Sequence, residues 1–187
     1  MTIENMETTP VQRPDERLTR HLPGMKMPDV ALPATDGTMV SLADSGLTVI
    51  YAYPRTSPPD GGAIEGWDGI PGARGCTPQS CAFRDHYAEL RALGVQRLYG
   101  LSTQSTEYQQ EVVNRLHLPF PLLSDDRLSL SRALKLPLFE AGGMTLIRRL
   151  TLIIDDGKVD YVFFPILHPE QNASDVAAWL ARARKHY

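Results

Sequence analysis

The run Leu47-Thr-Val-Ile-Tyr-Ala-Tyr53 constrains the fold of this chain more than any other stretch. It is nearly continuous in β-branched and aromatic residues and lacks the polar alternation of a strand with one wet face. That pattern predicts a central strand covered on both sides, ended by Pro54. A strand covered on both sides needs packing layers above and below it, and signals along the rest of the chain supply them.

Asp36-Gly37 between two short apolar stretches predicts a hairpin over residues 29–42. Residues 55–75 hold six of the fourteen glycines, plus Pro58, Pro59 and Pro71, so little regular structure is expected there. A helix follows, with Thr77 as a candidate cap and Pro78 at its first position. Phe83, Tyr87, Leu90 and Leu93 recur at three- and four-residue steps along one face of it, and Gly94 can end it. Further on come a strand over 95–101, a helix over 105–116 with Tyr108, Val112 and Leu116 on its core side, and an extended segment over 118–123. A helix over 127–136 stops at Pro137, and Gly142-Gly143 reads as a loop hinge. Strands over 146–154 and 158–166 flank a second turn signal, Asp155-Asp156-Gly157. A last helix over 174–185 begins at Ser174 and turns Val176, Trp179, Leu180 and Ala183 inward. The order predicts an α/β fold, a mixed sheet flanked by helices with an N-terminal β-hairpin.

At 187 residues one domain is expected, over 21–187, behind a polar, proline-bearing arm over 1–20. The formal charge of −3 argues against a nucleic-acid surface, and no apolar run is long enough to span a membrane. The first residues, without a basic start or apolar core, do not resemble a secretory signal. Two cysteines make no disulfide scaffold, so a reduced, cytoplasmic setting is expected.

Those cysteines, in Cys76-Thr77-Pro78-Gln79-Ser80-Cys81, should differ chemically. Cys76 sits at the mouth of the predicted helix, where the dipole and unpaired N–H groups favour a thiolate. Cys81, inside the helix and followed by Ala82 and Phe83, has no such help. Five helical residues rise about 7.5 Å, which puts the two Cα atoms roughly 8–9 Å apart, whereas a disulfide wants them within about 7 Å. Pairing them therefore requires the start of the helix to unwind, as in a cycling redox site. Two inert buried thiols are the plainer alternative. A zinc site from Cys76, Cys81 and His86 lacks a fourth ligand and the usual spacing. The other histidines, His21, His117, His168 and His186, form no ligand or triad pattern.

Several segments together resemble the peroxiredoxins. They are Tyr53-Pro54, Gly75-Cys76-Thr77-Pro78-Gln79-Ser80-Cys81-Ala82-Phe83-Arg84-Asp85, Gly100-Leu101-Ser102-Thr103, Leu122-Leu123-Ser124-Asp125, and Arg149 to Lys158 with its Asp155-Asp156-Gly157 turn. The Q-type, or bacterioferritin comigratory protein, branch is the most similar, over about residues 22–184. The resemblance implies a thioredoxin-like fold and an antioxidant thiol peroxidase acting on hydrogen peroxide and organic hydroperoxides. It implies no metal and no organic cofactor. Cys76 matches the peroxidatic cysteine, Cys81 a resolving cysteine that pairs with it within the chain, and Arg149 the arginine opening a late strand. Thioredoxin or a similar thiol reductant would regenerate the pair, and a monomer or weak dimer is expected. A thiol–disulfide oxidoreductase on the same fold and a redox sensor are the alternatives.

The chain departs from the family pattern Pro-x-x-x-Thr/Ser-x-x-Cys. Its hydroxyl position is Ala73, and Pro54 lies 22 residues before Cys76 instead of seven, an insertion of 15 within residues 55–75. Thr56 or Ser57 could fold back and supply the hydroxyl, a long loop costing little more to close than a short one, and a water or a backbone N–H could serve instead. The insertion, with Trp67, reads either as a flap beside the cysteine that shapes access for peroxides or as an ornamental loop with Trp67 packed on the surface. Arg148 and Arg149 alternate, so they should face opposite sides. Asn172-Ala173-Ser174 fits a glycosylation pattern but reads better as a helix start.

Overall fold

The computed structural model describes residues 16–183 and residue 185. The arm expected over 1–20 lies outside the described residues except for its end, where Glu16–Thr19 form a 3-10 turn that buries Thr19.

The predicted central strand is β3, Leu47–Ala52, buried along its whole length. It stands in the middle of a five-stranded mixed sheet. On one side β4, Arg97–Ser102, and then β5, Leu122–Ser124, run parallel to it; on the other, β8, Leu150–Asp155, is antiparallel to it and β9, Lys158–Phe163, antiparallel to β8. Period-two alternation divides the core. Val49, Tyr51, Tyr53 and Ile153 join one apolar cluster, while Ile50, Ala52, Leu152 and Ile154 join the other.

The first cluster is covered by helices. These are α1, Cys76–Asp85; α2, Tyr87–Ala92; α3, Thr106–Leu116; and α5, Asn172–Ala183, which supply Phe83, Leu90, Val112 and Val176. The second is covered by the predicted hairpin of β1, Ala31–Pro33, with β2, Met39–Ser41, and by α4, Ser129–Ala133. Ser105 caps α3, its hydroxyl accepting from the Tyr108 N–H at 3.2 Å.

Several local expectations need correction. The helix after Cys76 is two helices, because His86 adopts φ −94°, ψ 3° and its N–H bonds to the Ala82 and Arg84 carbonyls. The cap of α1 is Gly75, not Thr77, so Cys76 itself is the first helical residue. Gly142-Gly143 is the tight turn of a hairpin between β6, Leu138–Ala141, and β7, Met144–Ile147; both glycines have positive φ, as a two-residue primed turn requires. The strand expected over 146–154 is thereby split between β7 and β8. The last helix starts at Asn172, which is 1% exposed, while Ser174 donates back to the Gln171 carbonyl. Trp179 on that helix is only half-buried, and Tyr108 on α3 likewise.

No helix among the described residues is long and apolar enough to cross a membrane.

Candidate active site

Gly75 fixes where Cys76 lies. Its φ of 103° is one that side chains disfavour, and a Cβ there would meet Pro169 Cγ at 2.7 Å. The start of α1 can therefore press directly against the 3-10 turn Pro169–Gln171 that leads into α5. The N–H groups of a first helical turn have no intrahelical acceptor, and Pro78 has none to offer. Cys76 and Thr77, in that first turn, both line a cavity of about 560 Å³.

Cys76 is 4% exposed. Its Sγ lies 3.7 Å from the Ala73 carbonyl, to which the thiol donates, and 3.2 Å from Nη2 of Arg149. The phase of β8 brings the arginine there, because position 149, just ahead of that strand, keeps step with 151 and 153, which face the helices. Arg148 meets a different neighbour, its guanidinium 5.4 Å from the Phe139 ring centre. The alternation expected from the sequence is not a strand alternation, because both residues lie just before β8 begins and both line one cavity.

Arg149 is 3% exposed. Nη2 also donates to the carbonyls of Gly72, Ala73 and Arg74 at 3.3, 3.3 and 3.0 Å, and Nη1 donates to Gln79 Oε1. Its buried Nε has no partner among the described residues. No carboxylate among the described residues lies within ion-pair distance of it. A cation buried without an anion is costly. Among the described residues hydrogen-bonded to this guanidinium, the Cys76 sulfur alone can itself take a negative charge.

Behind the arginine a buried relay holds it in place. Gln79 donates from Nε2 to Asn172 Oδ1 at 3.0 Å, and the Thr151 hydroxyl donates to the same oxygen at 2.7 Å. Gln79, Thr151 and Asn172 are each at most 1% exposed. The sequence reading missed all three. One signal for Gln79 was available, since it lies three residues after Cys76 and shares its helix face; Thr151 and Asn172 join only through the tertiary fold.

Two buried tyrosines, Tyr51 on β3 and Tyr53 just after it, floor the site. Tyr51 donates to Ser80 Oγ at 3.1 Å and stacks on Phe83 with ring centres 4.4 Å apart. Burial first, then the neighbouring Tyr53, pushes the Tyr51 phenol well up. The Tyr53 hydroxyl faces Ser102 without closing a hydrogen bond of ordinary length; burial raises it too, against a partial pull from Ser102.

Cys81 lies five residues further along α1, half-buried against the same core. Both cysteines are free. Both sit within one unbroken helix, so the rise of about 7.5 Å expected from the sequence applies. Among the described residues no three His, Cys, Asp or Glu side chains are grouped to hold a metal ion.

The two candidates for the missing hydroxyl separate. The Thr56 N–H and hydroxyl both point to Gln104 Oε1, at 3.2 and 3.3 Å, and its carbonyl accepts from Tyr108 at 2.7 Å. Ser57, not Thr56, lines the Cys76 cavity, together with Trp67. Trp67 belongs to the single 3-10 turn, Trp67–Gly69, of the inserted stretch, and its ring centre is 6.3 Å from that of Phe139.

Comparison with known proteins finds relatives along most of the chain. A profile described as Redoxin matches residues 22–180. Peroxiredoxin bcp1 of Schizosaccharomyces pombe is 36% identical over 129 residues, 67% of this chain and 56% of that protein. A chloroplastic peroxiredoxin Q of Sedum lineare is 30% identical over 155 residues, 81% of this chain and 74% of its own length. The chain thus spans less than two thirds of some curated relatives. The crystal structure of peroxidoxin BcpB from Mycobacterium tuberculosis superposes with a TM-score of 0.68 at 25% identity, covering 87% of this chain and 97% of that one.

Proposed function

The chain belongs to the redoxin family, on its peroxiredoxin Q branch, and we propose that it is a thiol-dependent peroxidase with Cys76 as nucleophile and Cys81 as resolving thiol. The observation that carries this reading is the 3.2 Å contact between Cys76 Sγ and a buried guanidinium without a carboxylate partner. That cation favours a negative sulfur.

The Cys76 thiolate attacks one peroxide oxygen, the O–O bond breaks, and the second oxygen leaves with the electron pair as hydroxide or alkoxide. Cys76 becomes a sulfenic acid, and the leaving oxygen takes up a proton as water or alcohol. Charge moves from sulfur to oxygen along a path faced by Arg149 and the amides of the first helical turn. Fixed donors of this kind act where charge develops and need no rearrangement during the reaction. The fork of a guanidinium can contact sulfur and peroxide oxygen together.

Resolution asks for a different shape. Cys81 displaces the sulfenic oxygen as water to form the Cys76–Cys81 disulfide, which the helix as described cannot accommodate. Unwinding the start of α1 pulls Gln79 from Arg149 and Asn172, and Ser80 from Tyr51. A dithiol reductant, thioredoxin or similar, then returns both thiols and lets the helix re-form. A reducing, cytoplasmic compartment and a monomer or weak dimer suit this cycle, with residues 21–187 acting as one peroxiredoxin domain and residues 55–75 as its inserted loop.

The test is peroxide consumption at catalytic protein concentration, driven by thioredoxin, its reductase and NADPH. Turnover lost entirely in Cys76→Ser, and lost with thioredoxin in Cys81→Ser while the first oxidation remains fast, is the expected result. Full turnover in Cys76→Ser would overturn the assignment.

A further inference from the structure

The part of α1 that has to open for the disulfide and the part that stays packed meet at one side chain. Tyr51, on β3, reaches under the helix with both ends of its phenol engaged. Its ring lies against Phe83, with ring centres 4.4 Å apart and planes 5° from parallel, while its hydroxyl donates to Ser80 Oγ at 3.1 Å. Tyr51, Ser80 and Phe83 are each 0% exposed. Ser80 directly precedes Cys81, and Phe83 lies two residues beyond it.

A neighbouring strand makes room for that hydroxyl. A Cβ on Gly100, in β4, would meet Tyr51 Cζ at 2.8 Å and the phenol oxygen at 2.9 Å, so any side chain at this position would push the hydroxyl out of place. Among the described residues Ser80 Oγ is the acceptor of the Tyr51 O–H. The Tyr53 hydroxyl, in the same apolar cluster, is already buried without a partner there. Once Ser80 leaves, the Tyr51 donor is unmatched in that cluster, which is costly.

We propose that Tyr51 is a positioning residue for the resolving step. Its hydroxyl, through Ser80, latches the segment of α1 that opens, and its ring, through Phe83, marks where the opening stops. The inference rests on the peroxidase reading and deepens it. The latch sets how long the Cys76 sulfenic acid waits for Cys81. While it waits, a second peroxide can transfer one oxygen atom to the sulfur and leave as water or alcohol. The product is a sulfinic acid, which Cys81 cannot reduce. A tight latch keeps the sulfur beside Arg149 for longer; a loose one hands it to Cys81 sooner.

The experiment mixes reduced protein rapidly with hydrogen peroxide, quenches with acid, and counts sulfenic acid, disulfide and sulfinic acid by mass. The quantity read is the rate constant for disulfide formation divided by that for the first oxidation. Tyr51→Phe keeps the ring and removes only the hydroxyl. It should raise this ratio about three- to tenfold, the range that one neutral hydrogen bond supplies. The sulfinic fraction formed in excess peroxide should fall in step. Ser80→Ala should act in the same direction, and the double variant should fall well short of the product of the two, because one hydrogen bond is lost either way. Val112→Ala, a lesion of the same cluster on α3, should leave the ratio alone. A ratio that does not rise in Tyr51→Phe, effects that multiply in the double variant, or an equal rise in Val112→Ala would overturn the inference while leaving the peroxidase intact. No fast oxidation of Cys76, or no Cys76–Cys81 disulfide in the wild type, would overturn the underlying reading, and the inference with it.

Discussion

The cleft before Cys76 has two walls of opposite character. On the sheet side, Arg149, Thr151, Gln79 and Asn172 are 0–3% exposed, joined by side-chain hydrogen bonds and anchored on β8, α1 and α5. On the loop side, residues 57–72 are mostly exposed, carry one 3-10 turn, and meet the β6–β7 hairpin through Trp67, beside Phe139, and Ile64, beside Gly142. Geometry needed at the reacting sulfur to within a fraction of an ångström is kept on rigid elements, while the boundary that selects what enters is left to a loop. Substitutions on the sheet side should therefore alter chemistry, and those on the loop side only access.

The sheet wall should give the larger effects. Arg149→Gln is expected to slow oxidation of Cys76 by about 10²–10³, the usual cost of losing one preorganised transition-state donor. Hydrogen peroxide and organic peroxides should suffer alike. A loss confined to one class of peroxide would move Arg149 from chemistry to selection and break the comparison.

Asn172→Ala removes the shared acceptor of Gln79 and Thr151 and leaves two buried donors unmatched. It should lower stability by about 1–3 kcal/mol in urea unfolding. It should also slow peroxide attack while easing the unwinding that precedes the disulfide, so the ratio of the two rate constants changes where a purely structural lesion would not change it. Unaltered kinetics would mean that the relay only supports the fold.

The buried phenols sharpen the picture from the alkaline side. Burial raises Tyr51 and Tyr53 above their ordinary value near 10. Below that pH both folded and unfolded chains keep these phenols neutral and their contribution is complete. Above it the unfolded chain ionises while the folded one resists, so stability falls as pH rises, by up to about 1.4 kcal/mol per group for each unit. Urea midpoints measured between pH 8 and pH 11, on either side of that value of about 10, check this. A midpoint that stays flat across that range would contradict the account of these phenols.

Trp67→Ala is the mildest change. The ratio of bulky to small peroxide rates should shift by a few-fold, about 1 kcal/mol or less for a half-exposed contact, with hydrogen peroxide little affected. A loss for hydrogen peroxide as large as that of Arg149→Gln would erase the distinction between the walls.

What the sequence made legible follows the same division. Local patterns located the central strand, both turn-signal hairpins, α3, and Cys76 at a helix mouth. The Gly142-Gly143 hairpin escaped because its strands are largely half-exposed and lack a clean alternation. The break at His86 escaped because the apolar spacing continues across it. Arg149 came from its resemblance to a family pattern. Its carbonyl cage and the Gln79–Asn172–Thr151 relay join residues from 21 to 93 positions apart, a distance no periodicity records. The choice between Thr56 and Ser57 likewise depended on Gln104, distant in sequence and adjacent in space.

The most direct test of the whole account is stopped-flow oxidation of the fully reduced protein by one equivalent of hydrogen peroxide, with free thiols counted before and after. Loss of two thiols per peroxide, at a rate far above that of free cysteine, is the result expected of a guanidinium-held Cys76 resolved by Cys81. A rate no greater than free cysteine would contradict it, and would mean that the Arg149 contact does not activate the sulfur.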